Sequence, residues 1–263
     1  MIDLIHYKKI LLFLENSDIS EYAIKIGTPI LYFGNINKAK VATLGINPSN
    51  KEFYDNNNNE LSGDTRRFHT LASLGLDKWG NITDDDYSRI LASFDNYFAG
   101  NPYNIWFKHL DYLLSGCEIS YYFPYNNAVH LDLSPIATES KWSDIPAAVR
   151  KMMLDSGAEI LTKLINESPI ETIILNGQTI IKYVEALSGI SFQPIYKKSL
   201  DIPRSNGNVK GVVYKHKISK IGNKYLDREI TFLGYNHNIQ SSFGISKQIK
   251  DNIKQWITTE IKL

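Results

Sequence analysis

With 263 residues, 43% of them hydrophobic and 22% charged, the chain has the length and balance of a folded domain with a large core, which excludes a disordered or fibrous class. No apolar run approaches the roughly 20 residues that span a bilayer, and Asp3, His6, Lys8 and Lys9 interrupt the first fourteen residues, unlike a secretory signal. Cys117 is the only cysteine, which excludes an intrachain disulfide and a thiolate-cluster metal site and makes a reducing cytoplasm the expected compartment.

Residues 1–35 read as a helical extension of two short helices, with apolar positions at Ile10, Leu11, Leu12 and Phe13 and again at Tyr22, Ala23 and Ile26. Residues 40–45 read as a short apolar strand that ends in the turn Gly45-Ile46-Asn47-Pro48-Ser49. Residues 50–64, with the run Asn56 to Asn59, read as a polar, mobile loop. Helices are expected over 84–98 and 103–114, then a second strand over 128–133. A long amphipathic helix follows over 145–166, with Ser143 or Asp144 as its cap. The third strand, 171–175, turns at Asn176-Gly177 into a helix over 179–187. Residues 192–228 read as a basic hairpin insertion, turning at Asn206-Gly207 beside Val212, Val213 and Tyr214. A fourth strand at 229–233 and a closing helix at 245–261 complete the chain. Alternating strands and helices predict a single-domain, three-layer α/β/α fold around a central four-stranded parallel sheet.

Charge is unevenly spread. Between Lys197 and Arg228 stand nine cations (Lys197, Lys198, Arg204, Lys210, Lys215, Lys217, Lys220, Lys224, Arg228) against Asp201 and Asp227, a local +7 in a chain of net +1. Such a segment suits a polyanion, and equally suits a solvated hairpin.

Ligands of open α/β sheets bind beyond the carboxyl ends of parallel strands. The first strand delivers Asn47, the second Asp132 and the fourth His237 to that edge. Taken singly, each has a plainer reading as a turn cap, a helix cap or a hydrogen-bonded loop residue. Together they offer one pocket an amide, a carboxylate and an imidazole.

From about residue 38 to 255 the chain resembles the uracil-DNA glycosylase superfamily, nearest its mismatch-specific and thymine glycosylase branch. Gly45-Ile46-Asn47-Pro48 matches that branch's water-positioning motif, and Arg66-Arg67-Phe68-His69 is similar to the stretch whose Phe stacks on the extruded base. Leu131-Asp132-Leu133-Ser134-Pro135 is similar to the base-reading strand, with Asp132 where an Asn usually stands. Asn236-His237-Asn238-Ile239 takes the place of the His-Pro-Ser loop without its Pro and Ser. The resemblance implies an enzyme that hydrolyses N-glycosidic bonds in DNA with no cofactor or metal. It implies Asn47 and His237 as catalytic and Ile46, Ser49, Phe68 and Asp132 as base-binding. For the DNA it points to Arg66, Arg67, Asn238 and Ser241, and the basic segment before the His237 loop adds Lys215 and Lys217 as phosphate contacts. The iron–sulfur cluster of some relatives is excluded by the single cysteine.

The chemistry fits these residue types. The base must leave the stack and be enclosed. The sugar passes through an oxocarbenium-like state while the departing base gathers negative charge, which a His237 donor would stabilise. The Asn47 amide does not titrate near neutral pH, and holds a water in line instead. Phe68 as a stacking platform would contribute roughly 1–3 kcal/mol, and core packing explains it equally well. Ile239 or Phe243 is a candidate wedge for the vacated stack.

Two departures bear on the base. A carboxylate at Asp132 accepts from the cytosine N4 amine, or, if burial keeps its proton, donates to N3. Ser49 stands where strict uracil enzymes carry a bulky Tyr against C5, which leaves room for a C5 substituent. The expectation is a glycosylase for C5-modified cytosine, a chemistry that suits defence against phages with modified DNA. Uracil or mismatched-thymine repair is the first alternative, and a catalytically silent nucleic-acid-binding module the second. Neither phosphate-binding glycine motif is present, no metal-ligand spacing stands out, and the expected partner is DNA, with no membrane, for a monomer.

Overall fold

The computed structural model describes residues 2–16, 18–205, 207–240 and 242–261. In chain order its helices and strands are α1 (Leu4–Asn16), β1 (Val41–Gly45), α2 (Leu71–Leu74), α3 (Asp84–Asp95), α4 (Asn104–Leu114), β2 (Ala128–Asp132), α5 (Ala147–Asn166), β3 (Thr172–Asn176), α6 (Gln178–Ser188), β4 (Ile195–Tyr196), β5 (Val212–Ile221), β6 (Lys224–Tyr235) and α7 (Lys247–Glu260). They build a mixed α/β fold on one sheet ordered β2-β1-β3-β6-β5-β4.

The four expected strands β2, β1, β3 and β6 pair in parallel. Their apolar runs are continuous because both faces are covered. Leu44 and Phe232 meet Leu161 of α5 and Val184 of α6 on one face, while Thr43 and His130 face Tyr121 and the Phe107 ring of α4 on the other.

The sheet has six strands rather than four. β5 and β4 extend it antiparallel beyond β6. β6 starts at Lys224, and Gly222, at φ +58°, takes the positive-φ position of the two-residue turn that folds β5 back on it. A register shift between Ile218 and Lys220 breaks the alternation that would mark β5 as a strand in sequence. The hairpin therefore turns at Gly222-Asn223. Asn206, half of the turn expected from sequence, lies outside the described residues, and Val212 to Tyr214 open β5.

The amino-terminal segment also differs. Only α1 forms, followed by a 3₁₀ turn at Asp18–Glu21. Beyond it the chain runs extended through Gly27 and Pro29, residues that do not sustain a helix, and covers the outer edge of β2. Ile24 N–H donates to the Ala137 carbonyl at 3.0 Å, and Phe33 and His130 exchange backbone hydrogen bonds at 2.9 and 3.0 Å. An open sheet edge is thereby paired.

Residues 50–64 form tight turns instead of an open loop. Asp55 accepts from the backbone N–H of Asn57 at 2.7 Å and of Asn59 at 2.8 Å, which is the local bonding that asparagine- and aspartate-rich turns favour. α5 begins after Pro146, a residue with no N–H to leave unpaired; Ser143 and Asp144 sit in a separate 3₁₀ turn and do not cap it. Among the described residues no helix is long and apolar enough to cross a membrane.

Candidate active site

A pocket of about 370 Å³ opens beyond the carboxyl ends of β1, β2 and β3, in the size range of small-ligand sites. The parallel register sets Gly45 opposite Asp132. The turn from Ile46 to Ser49 forms one wall of the pocket, and Phe33, Tyr103, Trp106 and Phe107 form its aromatic sides.

Asp132 lies at the inner end, 8% exposed. Its Oδ1 is 3.5 Å from Nε2 of the equally buried His130. Behind them runs a polar chain, with His130 Nδ1 2.6 Å from Thr43 Oγ1 and that oxygen 2.5 Å from the Tyr121 hydroxyl. Among the described residues Thr43 Oγ1 is the one hydrogen-bond partner of the Tyr121 hydroxyl, and it links that hydroxyl to the imidazole. Of the two ring nitrogens, Nδ1 meets Thr43 and Nε2 faces Asp132. Gly45 is required here by space. A Cβ on it would collide with Asp132 Oδ1 and come within 3.0 Å of His130 Nε2.

Asn47 lines the same pocket. Its Nδ2 donates to Thr138 Oγ1 at 3.1 Å and to the Pro48 carbonyl at 3.1 Å, with the Ile136 carbonyl at 3.5 Å. The amide orientation is thus fixed, and Oδ1 is left as an acceptor for a bound water.

Glu52 is a second carboxyl in the pocket, one that the sequence reading does not single out. Ser49 accepts from the Lys51 N–H at 3.1 Å and starts a 3₁₀ turn, Asn50–Glu52, that sends Glu52 inward. Glu52 is 3% exposed, and its Oε2 accepts from the Tyr97 hydroxyl at 2.8 Å. Burial pushes its carboxyl up to about 7, against smaller downward pulls from that hydrogen bond and the Arg67 guanidinium; the neighbouring Asp132 charge adds to the rise. The sequence signal was there in Ser49-Asn50-Lys51-Glu52, the spacing of a capping box at a helix start.

The other site candidates divide between the pocket and the rest of the molecule. Ile46 and Asn238 line the pocket. Phe68 does not; it is 1% exposed, stacked on Tyr97 with centroids 5.0 Å apart, and stands behind Phe33. His237 is buried, and the carbonyl of Leu200 is 2.7 Å from Nε2. Desolvation holds the imidazole below its ordinary range, so the neutral ring spends its one N–H on Leu200 and has none to offer a leaving base. Arg67 donates to the carbonyls of Asn101 and Lys51 and stacks 5.3 Å from the Tyr103 ring, so it braces the Glu52 turn and the pocket wall. Arg66 does not line the pocket.

Lys215 and Lys217 are also outside it. Lys215 pairs with Glu260 at 2.7 Å and Lys217 with Glu229 at 3.5 Å. Register places Lys217 beside Thr231, which pairs with the first residue of β3, at the sheet edge remote from the pocket. Ser241 lies outside the described residues. Of the two candidate wedges Ile239 is buried, whereas Phe243 is 81% exposed with the Arg204 guanidinium 5.3 Å from its ring. Among the described residues no group of three His, Cys, Asp or Glu could hold a metal ion.

No protein-family model matches this chain, and no curated protein matches it.

Proposed function

We propose that the chain is a monofunctional DNA glycosylase that extrudes a C5-substituted cytosine and hydrolyses its N-glycosidic bond, leaving an abasic site. The observation that carries this reading is the meeting of Asn47 and Asp132 in one strand-end pocket, with the Asn47 acceptor oxygen unspent and the Asp132 carboxylate backed by His130. An acceptor carboxylate suits the N4 amine of cytosine. Asn47 would hold the attacking water, and the aromatic sides would enclose the base. The exposed Ser49 adds no bulk after Pro48, which favours a substituent at C5. Phe243, on the loop that follows Asn238, and Arg204, from the segment between β4 and β5, form an apolar and cationic pair suited to fill a vacated stack beside a phosphate. Action on modified phage DNA would make this a defence enzyme.

Mass spectrometry of bases released from duplexes carrying cytosine, C5-hydroxymethylated cytosine, uracil or a thymine mismatch tests the reading. Release of the modified cytosine is expected, and Asp132→Asn should shift preference toward uracil by on the order of 10- to 100-fold. Efficient cleavage of uracil alone, or a preference unchanged in Asp132→Asn, would overturn the substrate. The bond His237 makes to Leu200 favours a second reading, a binding module without catalysis; it predicts DNA binding that survives Asn47→Ala and no base released from any duplex.

A further inference from the structure

Glu52 has no part in the reaction as described so far, yet it lines the same pocket as Asn47 and Asp132. We propose that Glu52 is a catalytic acid of this pocket, which in its neutral form gives its proton to the ring edge of the base as the base departs. The proposal rests on the glycosylase reading and adds to it the group that makes cytosine a tolerable leaving group.

The geometry separates the two carboxyls. Asp132 has the Nε2 of His130 3.5 Å from its Oδ1. Glu52 has one hydrogen bond, from the neutral Tyr97 hydroxyl to Oε2, and no described group donates to Oε1. Three groups face it: Tyr97 from the turn at Tyr97–Ala99, Arg67, which reaches the same turn through the Lys51 carbonyl, and Asp132 from the end of β2. Asp132 thus has an imidazole within ion-pair distance, whereas no described cation comes that close to Glu52, and a desolvated carboxyl without a close cation favours its neutral form. Burial accordingly holds the Glu52 carboxyl up to about 7, near the ideal for a group that must both hold and release a proton at neutral pH.

The step balances as a hydrolysis. The C1′–N1 bond breaks and its electron pair passes into the ring. The Glu52 proton is transferred to the base, at N3 or O2, while Asp132 accepts from the N4 amine. The water on Asn47 adds its oxygen to C1′, and its released proton restores Glu52. The products are the neutral base and the abasic sugar hydroxyl. A donor opposite N3 also suits cytosine, whose N3 is an acceptor, and opposes uracil, whose N3 bears a hydrogen.

The test is single-turnover base release by the full chain from a duplex with one C5-hydroxymethylated cytosine, followed over about pH 5 to 9, with duplex binding measured separately. Wild-type release should fall above about pH 7. Glu52→Gln should keep binding and lose about 10²- to 10⁴-fold in rate, with the alkaline fall gone, and Glu52→Asp should recover part of the rate. Tyr97→Phe removes a hydrogen bond that favours the carboxylate, so the alkaline limb should move to higher pH; this variant carries the test if Glu52→Gln does not fold. Release by Glu52→Gln at the wild-type rate with the same limb, or a limb unmoved in Tyr97→Phe, would overturn the proposal and leave the glycosylase reading standing. If wild type releases no base from any duplex, the glycosylase reading fails and the proton transfer with it. A carboxyl stretch near pH 6 in the infrared difference between wild type and Glu52→Gln then still decides whether Glu52 holds a proton.

Discussion

The strand-end pocket and the basic hairpin treat charge in opposite ways. Glu52 and Asp132 are nearly sealed from solvent and have few partners. The lysines of β5 and β6 stand in water, and three of them already face carboxylates: Lys215 with Glu260, Lys217 with Glu229 and Lys224 with Glu159. Exposed pairs of this kind contribute about 0–1 kcal/mol each, whereas a single buried carboxyl without a cation has several times that leverage. The hairpin holds most of the chain's surplus cations, yet the pocket holds most of its electrostatic consequence. Burial, rather than the number of charges, sets what each is worth.

The contrast can be broken most sharply at Glu52. Its folded carboxyl titrates at about 7 against an ordinary 4.5, a separation equivalent to about 3 kcal/mol. The raised value means that Glu52 is tolerated without penalty below pH 4.5, and that stability is lost as pH rises through 7. Denaturant midpoints of wild type should therefore fall over that window, and those of Glu52→Gln should fall less; parallel curves would remove the pocket's side of the comparison. Asn47→Ala should lower single-turnover base release by about 100-fold with little change in thermal midpoint, and an equal loss of both would mean that Asn47 is structural. Gly45→Ala forces a methyl against Asp132 and should destabilise the fold by about 1–3 kcal/mol, read from urea unfolding. The smallest effect is expected for Lys217→Ala, within about 0.5 kcal/mol in stability and with an unchanged salt dependence of DNA binding. A salt slope reduced by a full contact would restore the hairpin as a DNA-binding face.

Much of the frame was legible in the residues themselves. The four parallel strands are short apolar runs bounded by turn residues, and each was found within a few residues of its observed limits, except that β6 begins earlier, at Lys224. Asn47 and Asp132 reach one pocket because strand direction and register are local consequences of those runs. β5 was hidden by its lysines and its bulge. For Phe68 the sequence leaves stacking and core packing equally open, because an aromatic residue after a motif looks the same whether it faces a ligand or the Tyr97 ring behind it.

By itself, then, the sequence determined the sheet's parallel core, the turn after β1 and the pair of residues at its mouth, since these follow from periodicity, glycine and strand polarity. Tertiary structure alone decided that Phe33 comes from the amino-terminal segment to line the pocket, that Glu52 turns inward to meet Tyr97, and that His237 turns away to Leu200. Those placements depend on contacts between residues 37 to 97 positions apart along the chain, and on which polar group finds a partner when water is excluded. No local pattern encodes that choice, because it is settled by the packing of the whole core.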